Sequence, residues 1–369
     1  MKSVSVNLGT RGYRILVGSN LAAQPEAVES LRALLAGHRY CLISDSHVYP
    51  LYGTAMRELA AEADADCRGK AVIPAGESSK TLATVAELYR QAVAAGLDRQ
   101  SLLLALGGGV VGDLAGFCAA TFLRGIAFAS VPTSLLAMVD SSVGGKTGVD
   151  LPEGKNLVGA FHQPKLVWAE LAFLQSLPKR EWSCGLAEAL KYGVIMDPEL
   201  FDLLDKQSLA TLRTDAALQE RLVARCCELK AEIVAEDETE NGRRAILNYG
   251  HTFGHAIEAL GNYSQFNHGE AIAIGMQMAA QFAVRLGLAA PELVSRQAKV
   301  LRQFALPVTL PPDLRFQPAD IVEAMQRDKK AVGGQLRCVL PHRIGEVSVV
   351  PVANRDLLLE VIGGFRGEP

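Results

Sequence analysis

Residues 101–125 read SLLLALGGGVVGDLAGFCAATFLRG, and the order of chemistry within them decides the fold. An apolar run, a cluster of glycines and a helix-forming stretch follow one another, which predicts strand, tight turn and helix. Gly107, Gly109 and Gly112 match GxGxxG. Glycines let a backbone approach a pyrophosphate, and the helix N-terminus behind them offers unpaired N–H groups and a partial positive charge. The motif alone fits equally well a turn that needs glycine only for its dihedrals. An ordinary dinucleotide fingerprint lies in the first strand–helix unit with an acid ~20 residues on. This one begins at residue 107 and has no such acid, so the loop points to a nucleotide held in an unusual way. Asp45, after the apolar run 39–44, is the better ribose candidate, against the commoner role of a turn or N-cap aspartate.

Outward from this unit, short apolar runs at 39–43, 71–74 and 101–106 alternate with helical-period segments such as 81–95, and the first half reads as α/β. Beyond Pro178 the β-branched runs thin out. Ala/Leu/Glu-rich stretches at 185–194, 217–235, 252–260 and 271–286 predict a mainly helical second half, and 336–352 predicts a small hairpin. The expected division is an α/β domain over 1–178 and a helical domain over 179–369, without repeats or low-complexity tracts.

The composition suits two folded domains: 369 residues, 49% of them hydrophobic, suffice for sizeable cores. With 37 basic and 40 acidic residues the net charge is −3, which lacks the one-signed excess favouring nucleic acid or anionic membranes. Any anion site must be local. Cys41, Cys67, Cys118, Cys184, Cys226, Cys227 and Cys338 make an odd, scattered set without CxxC spacing, which fits a reducing cytoplasm. The first residues, MKSVSVNLGTRGYRILVG, alternate like a strand rather than a signal peptide, and no apolar run approaches the ~20 residues of a membrane span.

Two further segments carry chemistry. In SVPTSLLAMVDSSVGGKTGVDLPEGKNLVGAFHQP, Asp140, Lys146, Lys155 and Asn156 lie among glycines with Thr133 and Ser134 upstream, a second place for an anion or else a solvated loop. In NYGHTFGHAIEAL, His251 and His255 are four residues apart on a predicted helix and face the same way, which suggests zinc. Thr252 stands where HExxH peptidases carry their glutamate, so peptidase chemistry is disfavoured. His268 in FNHGE and Glu188 in GLAEALKYG complete a set of one carboxylate and histidines from separate segments, the pattern of a catalytic zinc with an open position. Lys191 shares the face of Glu188, and Lys230, Arg244 and Asn248 add groups suited to anions.

The motifs GGGVVGD, VPTSLLAMVDSSVGGKTGVD, GKNLVGAFHQP, GLAEALKYG, RAILNYGHTFGHAIE, NHGEAIAIGM and MQRDKK stand in the order seen in 3-dehydroquinate synthases, and the chain resembles that family from about 76 to 330. The resemblance implies a Rossmann-like NAD domain, a helical domain binding metal and substrate, an active site in a cleft, and a cytoplasmic homodimer. It implies zinc, with cobalt a possible substitute, on Glu188, His251 and His268, and a proton-handling or outer role for His255. The implied NAD contacts are Asp45, Ala75, Gly76, Glu77, Ser78, Ser79, Lys80, Gly109, Val110, Val111, Gly112, Asp113, Thr133, Ser134, Lys146, Lys155, Phe173, Leu174, Gln175 and Ser176. Those implied for substrate are Asp140, Lys146, Asn156, Lys191, Lys230, Arg244, Asn248 and Lys330, with Arg124 reaching a neighbouring subunit.

The activity so implied is a lyase step of the shikimate pathway, in aromatic amino acid biosynthesis. 3-Deoxy-D-arabino-heptulosonate 7-phosphate would be oxidised transiently by NAD, lose phosphate, be reduced again and close by an aldol step to 3-dehydroquinate. A carboxylate and a phosphate on one substrate account for the cationic residues. The competing readings are a zinc- and NAD-dependent polyol dehydrogenase, a sister sugar-phosphate cyclase, and a non-catalytic nucleotide-binding protein. Net NADH production would mark the first. Arg244 and Lys230 bear on the second, because only a sugar acid needs a carboxylate partner.

Overall fold

The computed structural model describes residues 1–312, 314, 316–329 and 335–365. Its strands are β1 (Lys2–Val6), β2 (Tyr13–Gly18), β3 (Arg39–Asp45), β4 (Asp66–Ile73), β5 (Leu102–Gly107), β6 (Ala127–Pro132), β7 (Lys146–Leu151), β8 (Gly154–Phe161), β9 (Leu166–Glu170), β10 (Arg337–Arg343) and β11 (Glu346–Pro351). Its α-helices are α1 (Pro25–Leu35), α2 (Thr54–Glu62), α3 (Leu82–Ala94), α4 (Gly109–Thr121), α5 (Lys179–Ile195), α6 (Pro198–Asp205), α7 (Leu209–Thr214), α8 (Ala216–Glu236), α9 (His251–Leu260), α10 (His268–Arg285), α11 (Pro291–Gln303), α12 (Pro318–Lys329) and α13 (Arg355–Gly363).

Two compact units result, one of Met1–Leu177 with Asp215–Thr239, the other of Pro178–Thr214 with Glu240–Pro369. The first contains a seven-stranded sheet in the order β1-β2-β9-β6-β5-β3-β4, parallel except for β1. Successive residues of a strand point to opposite faces, and here both faces are covered. Cys41, Ile43, Leu103 and Ala105 pack with Val85 and Leu88 of α3 and Leu114 and Phe117 of α4. Tyr40, Leu42, Leu102 and Leu104 pack on the other side with Leu31 and Leu35 of α1 and Met56 and Ala60 of α2. That double burial is why these strands read as unbroken apolar runs.

Strands β4-β3-β5-β6-β9 follow the doubly wound 2-1-3-4-5 order, whose winding direction reverses between β3 and β5. In such sheets ligands bind beyond the carboxyl ends of the strands at that reversal. Asp45 ends β3 and Gly107 ends β5, so both residues singled out from sequence stand at the switch point.

The stretch around Lys146 and Asn156, read from sequence as a second place for an anion or else a solvated loop, forms the antiparallel hairpin β7–β8. The compact units do not divide the chain at a single point, because α8 groups with the first unit. Its buried residues include Leu222, Val223, Cys226 and Ile233, and it packs along β1 and β2. A helical period reports an apolar face without saying which partner covers it.

In the second unit α5 is buried on all sides from 182 to 195, enclosed by α6, α10 and the β10–β11 hairpin predicted near 336–352. Helix α10 is buried almost as fully and packs on α5, α9, α11, α13 and β10. Among the described residues no helix is long and apolar enough to cross a membrane.

Candidate metal centre and nucleotide edge

In the second unit the metal-type residues sit on three helices whose starts are fixed by local rules. Asn267 caps α10 by accepting from the N–H of Glu270, whose carboxylate accepts from the Asn267 N–H in return. The same Glu270 carboxylate takes both Arg180 donors at 2.8 and 2.7 Å, tying the start of α5 to that of α10. Gly269 allows the helices to meet, since a Cβ there would lie 2.4 Å from Cys184 Cα. One turn beyond Cys184 stands Glu188, and one residue before Gly269 stands His268. Helix α9 approaches α10 as closely, where a Cβ on Gly275 would lie 2.1 Å from the Gly250 carbonyl oxygen, and this brings in His251.

Glu188 is fully buried, at 0% exposure. His251 Nε2 and His268 Nε2 each lie 3.5 Å from its Oε1. The donor atoms of these three residues fall within 4.8 Å of one another. Two ligands each ~2.0–2.1 Å from a tetrahedral zinc stand ~3.3 Å apart, so the spacing and the carboxylate–imidazole donor set fit that ion. His251 Nδ1 lies 3.1 Å from the Tyr249 carbonyl oxygen, which can only accept, so the ring proton belongs on Nδ1 and the Nε2 lone pair faces Glu188. Burial, aided by Lys191, His255 and His268, outweighs Glu188 and pushes His251 down to about 3, which keeps it neutral as a ligand must be. Burial also opposes charge on His268, but the adjacent Glu188 and Glu258 carboxylates prevail and push it up to about 10 in the metal-free site, so an ion bound there would displace the proton from Nε2.

Around this trio the structure collects further candidates. Lys191, 2% exposed, is ion-paired with Glu188 one turn away. The His255 ring stands edge-on to His251 at 5.3 Å and 6.2 Å from His268. Arg244 is 0% exposed, so it is no surface arginine. It lies in a 3-10 segment, Arg243–Asn248, that stops before α9, so no continuous helix joins it to His251. Glu240 accepts from Asn248 Nδ2 at 2.6 Å. Sequence reading passed over Glu258, 2% exposed, whose Oε2 lies 3.5 Å from His268 Nδ1. The signal was present, because positions 251, 255 and 258 are i, i+4 and i+7 and share one helix face. Lys330 lies outside the described residues.

In the first unit the carboxyl edge of the sheet gathers the nucleotide candidates. Helix α4 starts at Gly109, and its first intrahelical bond runs from the Gly112 N–H to the Gly108 carbonyl. The N–H groups of Gly109, Val110 and Val111 therefore precede the helical ladder. Thr133 donates its N–H to the Gly107 carbonyl at 2.9 Å, and Ser134 Oγ stands beside Gly108. Asp45 Oδ1 accepts from the His47 and Val48 N–H groups at 2.8 and 2.9 Å, the turn role weighed for it from sequence.

Lys80, 4% exposed, pairs with Asp113 at 2.6 Å and donates to Asn156 Oδ1, while Lys155 lies 3.5 Å from Glu77. Burial opposes the Lys80 charge, but Asp113 and Glu77 outweigh it and hold the ammonium above its ordinary range. The segment 75–80 is thus bound to the start of α4 and to the β7–β8 hairpin. Phe173 packs on Tyr52 at 4.3 Å, whose hydroxyl donates to Ser176 Oγ at 2.7 Å, and Leu174 is buried. Lys230 on α8 lies 2.9 Å from Asp140 Oδ1 and 2.8 Å from its carbonyl. Lys146, opening β7, and Arg124, with φ +68, are exposed.

Two family models match adjoining parts of the chain: 3-dehydroquinate synthase N-terminal over 70–184 and 3-dehydroquinate synthase C-terminal over 185–331. A 3-dehydroquinate synthase of Symbiobacterium thermophilum is 49% identical over 354 residues, covering 96% of this chain and 98% of that protein. Among solved structures, 2-epi-5-epi-valiolone synthase of Streptomyces hygroscopicus, with NAD+ and Zn2+ bound, superposes with a TM-score of 0.87 at 29% identity, covering 96% of each chain. A 2-deoxy-scyllo-inosose synthase complexed with carbaglucose-6-phosphate, NAD+ and Co2+ gives 0.86 at 30% identity, covering 99% of this chain and 100% of that one.

Proposed function

The chain belongs to the 3-dehydroquinate synthase family, and we propose that Glu188, His251 and His268 hold its metal while the edge formed by Asp45, Gly109 and Thr133 holds NAD. It acts as a 3-dehydroquinate synthase, converting 3-deoxy-D-arabino-heptulosonate 7-phosphate to 3-dehydroquinate and phosphate. The observation that carries the metal assignment is the fully buried Glu188 carboxylate with two imidazole Nε2 atoms 3.5 Å away.

When bound, zinc supplies a Lewis acid that acidifies a substrate hydroxyl, and NAD supplies a reversible hydride acceptor. The protein's own groups do the rest. His255, one helical turn from His251, takes up and returns the hydroxyl proton, a task suited to an imidazole near neutral pH. Arg244 clamps the substrate carboxylate through paired N–H donors. Lys146, Lys191 and Lys230, with Asp140, Asn156, Asn248 and Lys330, orient the remaining hydroxyls and the phosphate. Held in this way, the phosphate oxygen reaches the proton made acidic by the neighbouring ketone, and elimination needs no separate base. Residues 75–80, 109–113, 133–134, 173–176, Lys146 and Lys155 contact NAD. Arg124 serves the neighbouring subunit of a homodimer, and the protein works in the cytoplasm, where its seven cysteines, joined by no disulfide, stay reduced.

Single alanine variants test the division of labour. His251→Ala and His268→Ala lose zinc and activity together, whereas His255→Ala keeps zinc and turns over slowly. Equal zinc loss in all three, by elemental analysis of the purified proteins, would make His255 a ligand.

A further inference from the structure

His251 and His268 each present Nε2 to Glu188, and each has its second ring nitrogen directed at a different oxygen. For His251 that oxygen is the Tyr249 carbonyl at 3.1 Å; for His268 it is Glu258 Oε2 at 3.5 Å. Glu258 is only 2% exposed, and a buried carboxylate is costly unless donors meet it. It projects from the helix that carries His251, two turns further along, so one rigid element holds a ligand and the partner of another ligand.

We propose that Glu258 is a positioning residue for the metal: it accepts the Nδ1 proton of His268 and thereby fixes the ring orientation and tautomer that aim Nε2 at the ion. A neutral imidazole carries one proton, and whichever nitrogen keeps it cannot bind metal. Without an acceptor at Nδ1, His268 divides between two tautomers and a range of ring angles, and affinity falls. The inference rests on the metal reading given above. Glu258 also falls within 4.8 Å of His255 and His268 as a possible donor set, so direct ligation is the rival role. In that rival His268 would bind through Nδ1, turning Nε2 away from its use beside Glu188 and His251.

The test uses Glu258→Gln and Glu258→Ala in the full chain. Zinc dissociation constants are measured by competition with a chromophoric chelator, and thermal unfolding is followed on the metal-free proteins. Glu258→Ala weakens zinc binding ~10–100-fold, the usual effect of losing such a partner. Glu258→Gln keeps a carbonyl acceptor and weakens it less. Wild-type affinity in both variants overturns the proposal. So does loss of zinc as complete as in His268→Ala, which would make Glu258 a ligand. So does a fall in the metal-free unfolding temperature with unchanged affinity, which would make it a core residue only. If the alanine variant fails to fold, the nearly isosteric glutamine variant decides by the same criteria. Wild-type zinc affinity in His251→Ala would instead sink the metal reading, whatever Glu258 does.

Discussion

Arg244 has no contact with solvent, yet it lies in a short 3-10 turn rather than in a helix whose packing would demand a long side chain. Its planar guanidinium presents paired N–H donors in a fork that fits a carboxylate. The substitution Arg244→Lys keeps the charge and removes the paired geometry. A clamp on the substrate carboxylate predicts a loss of ~1.5–3 kcal/mol per charge-assisted bond, or roughly ten- to hundredfold in kcat/KM, with zinc content unchanged. Kinetics equal to wild type would take Arg244 out of the site. At this scale the sequence was legible where a residue type is rare in its setting: two histidines a helical turn apart, or a glutamate in an apolar helix. It was less legible for Glu258 and for Asp150, which accepts the Asn156 N–H at 2.8 Å, because acidic residues are common and burial is a tertiary property.

Among the elements, helix starts decide where the proposed metal ligands stand. His268 is the first residue of α10 and His251 the first of α9, so each proposed ligand is only as well placed as its helix cap. Gly269→Ala drives a methyl group against the Cys184 backbone and must spread α5 from α10, at a cost of ~1–3 kcal/mol. Because Glu188 and His268 sit on those two helices, the variant should also bind zinc more weakly. A lower unfolding temperature accompanied by wild-type zinc affinity would show that this contact serves packing alone. The glycines of NHGE and GHTFGH were visible in sequence, but which backbone each one admits was not, since the partner lies on another helix. The β7–β8 hairpin escaped for a related reason: its glycines and lysines resemble a loop until the cross-strand pairing from Lys146–Phe161 to Leu151–Gly154 is known.

For the whole molecule, a net charge of −3 leaves anion recognition to local clusters, and the cations named above are largely buried or paired rather than spread over a surface. The chain leaves its first unit at Leu177 and returns to it with α8 before completing the second, an excursion that helical periodicity does not reveal. Cofactor and metal chemistry of this kind serve either a net oxidation or a closed redox cycle, and the two differ in what accumulates. The direct measurement follows inorganic phosphate and the NADH absorbance band together, during turnover of 3-deoxy-D-arabino-heptulosonate 7-phosphate by the zinc-loaded protein with NAD. The account predicts one phosphate released per substrate consumed and no net NADH; NADH rising in step with substrate loss, without phosphate, would contradict it and identify a simple dehydrogenase.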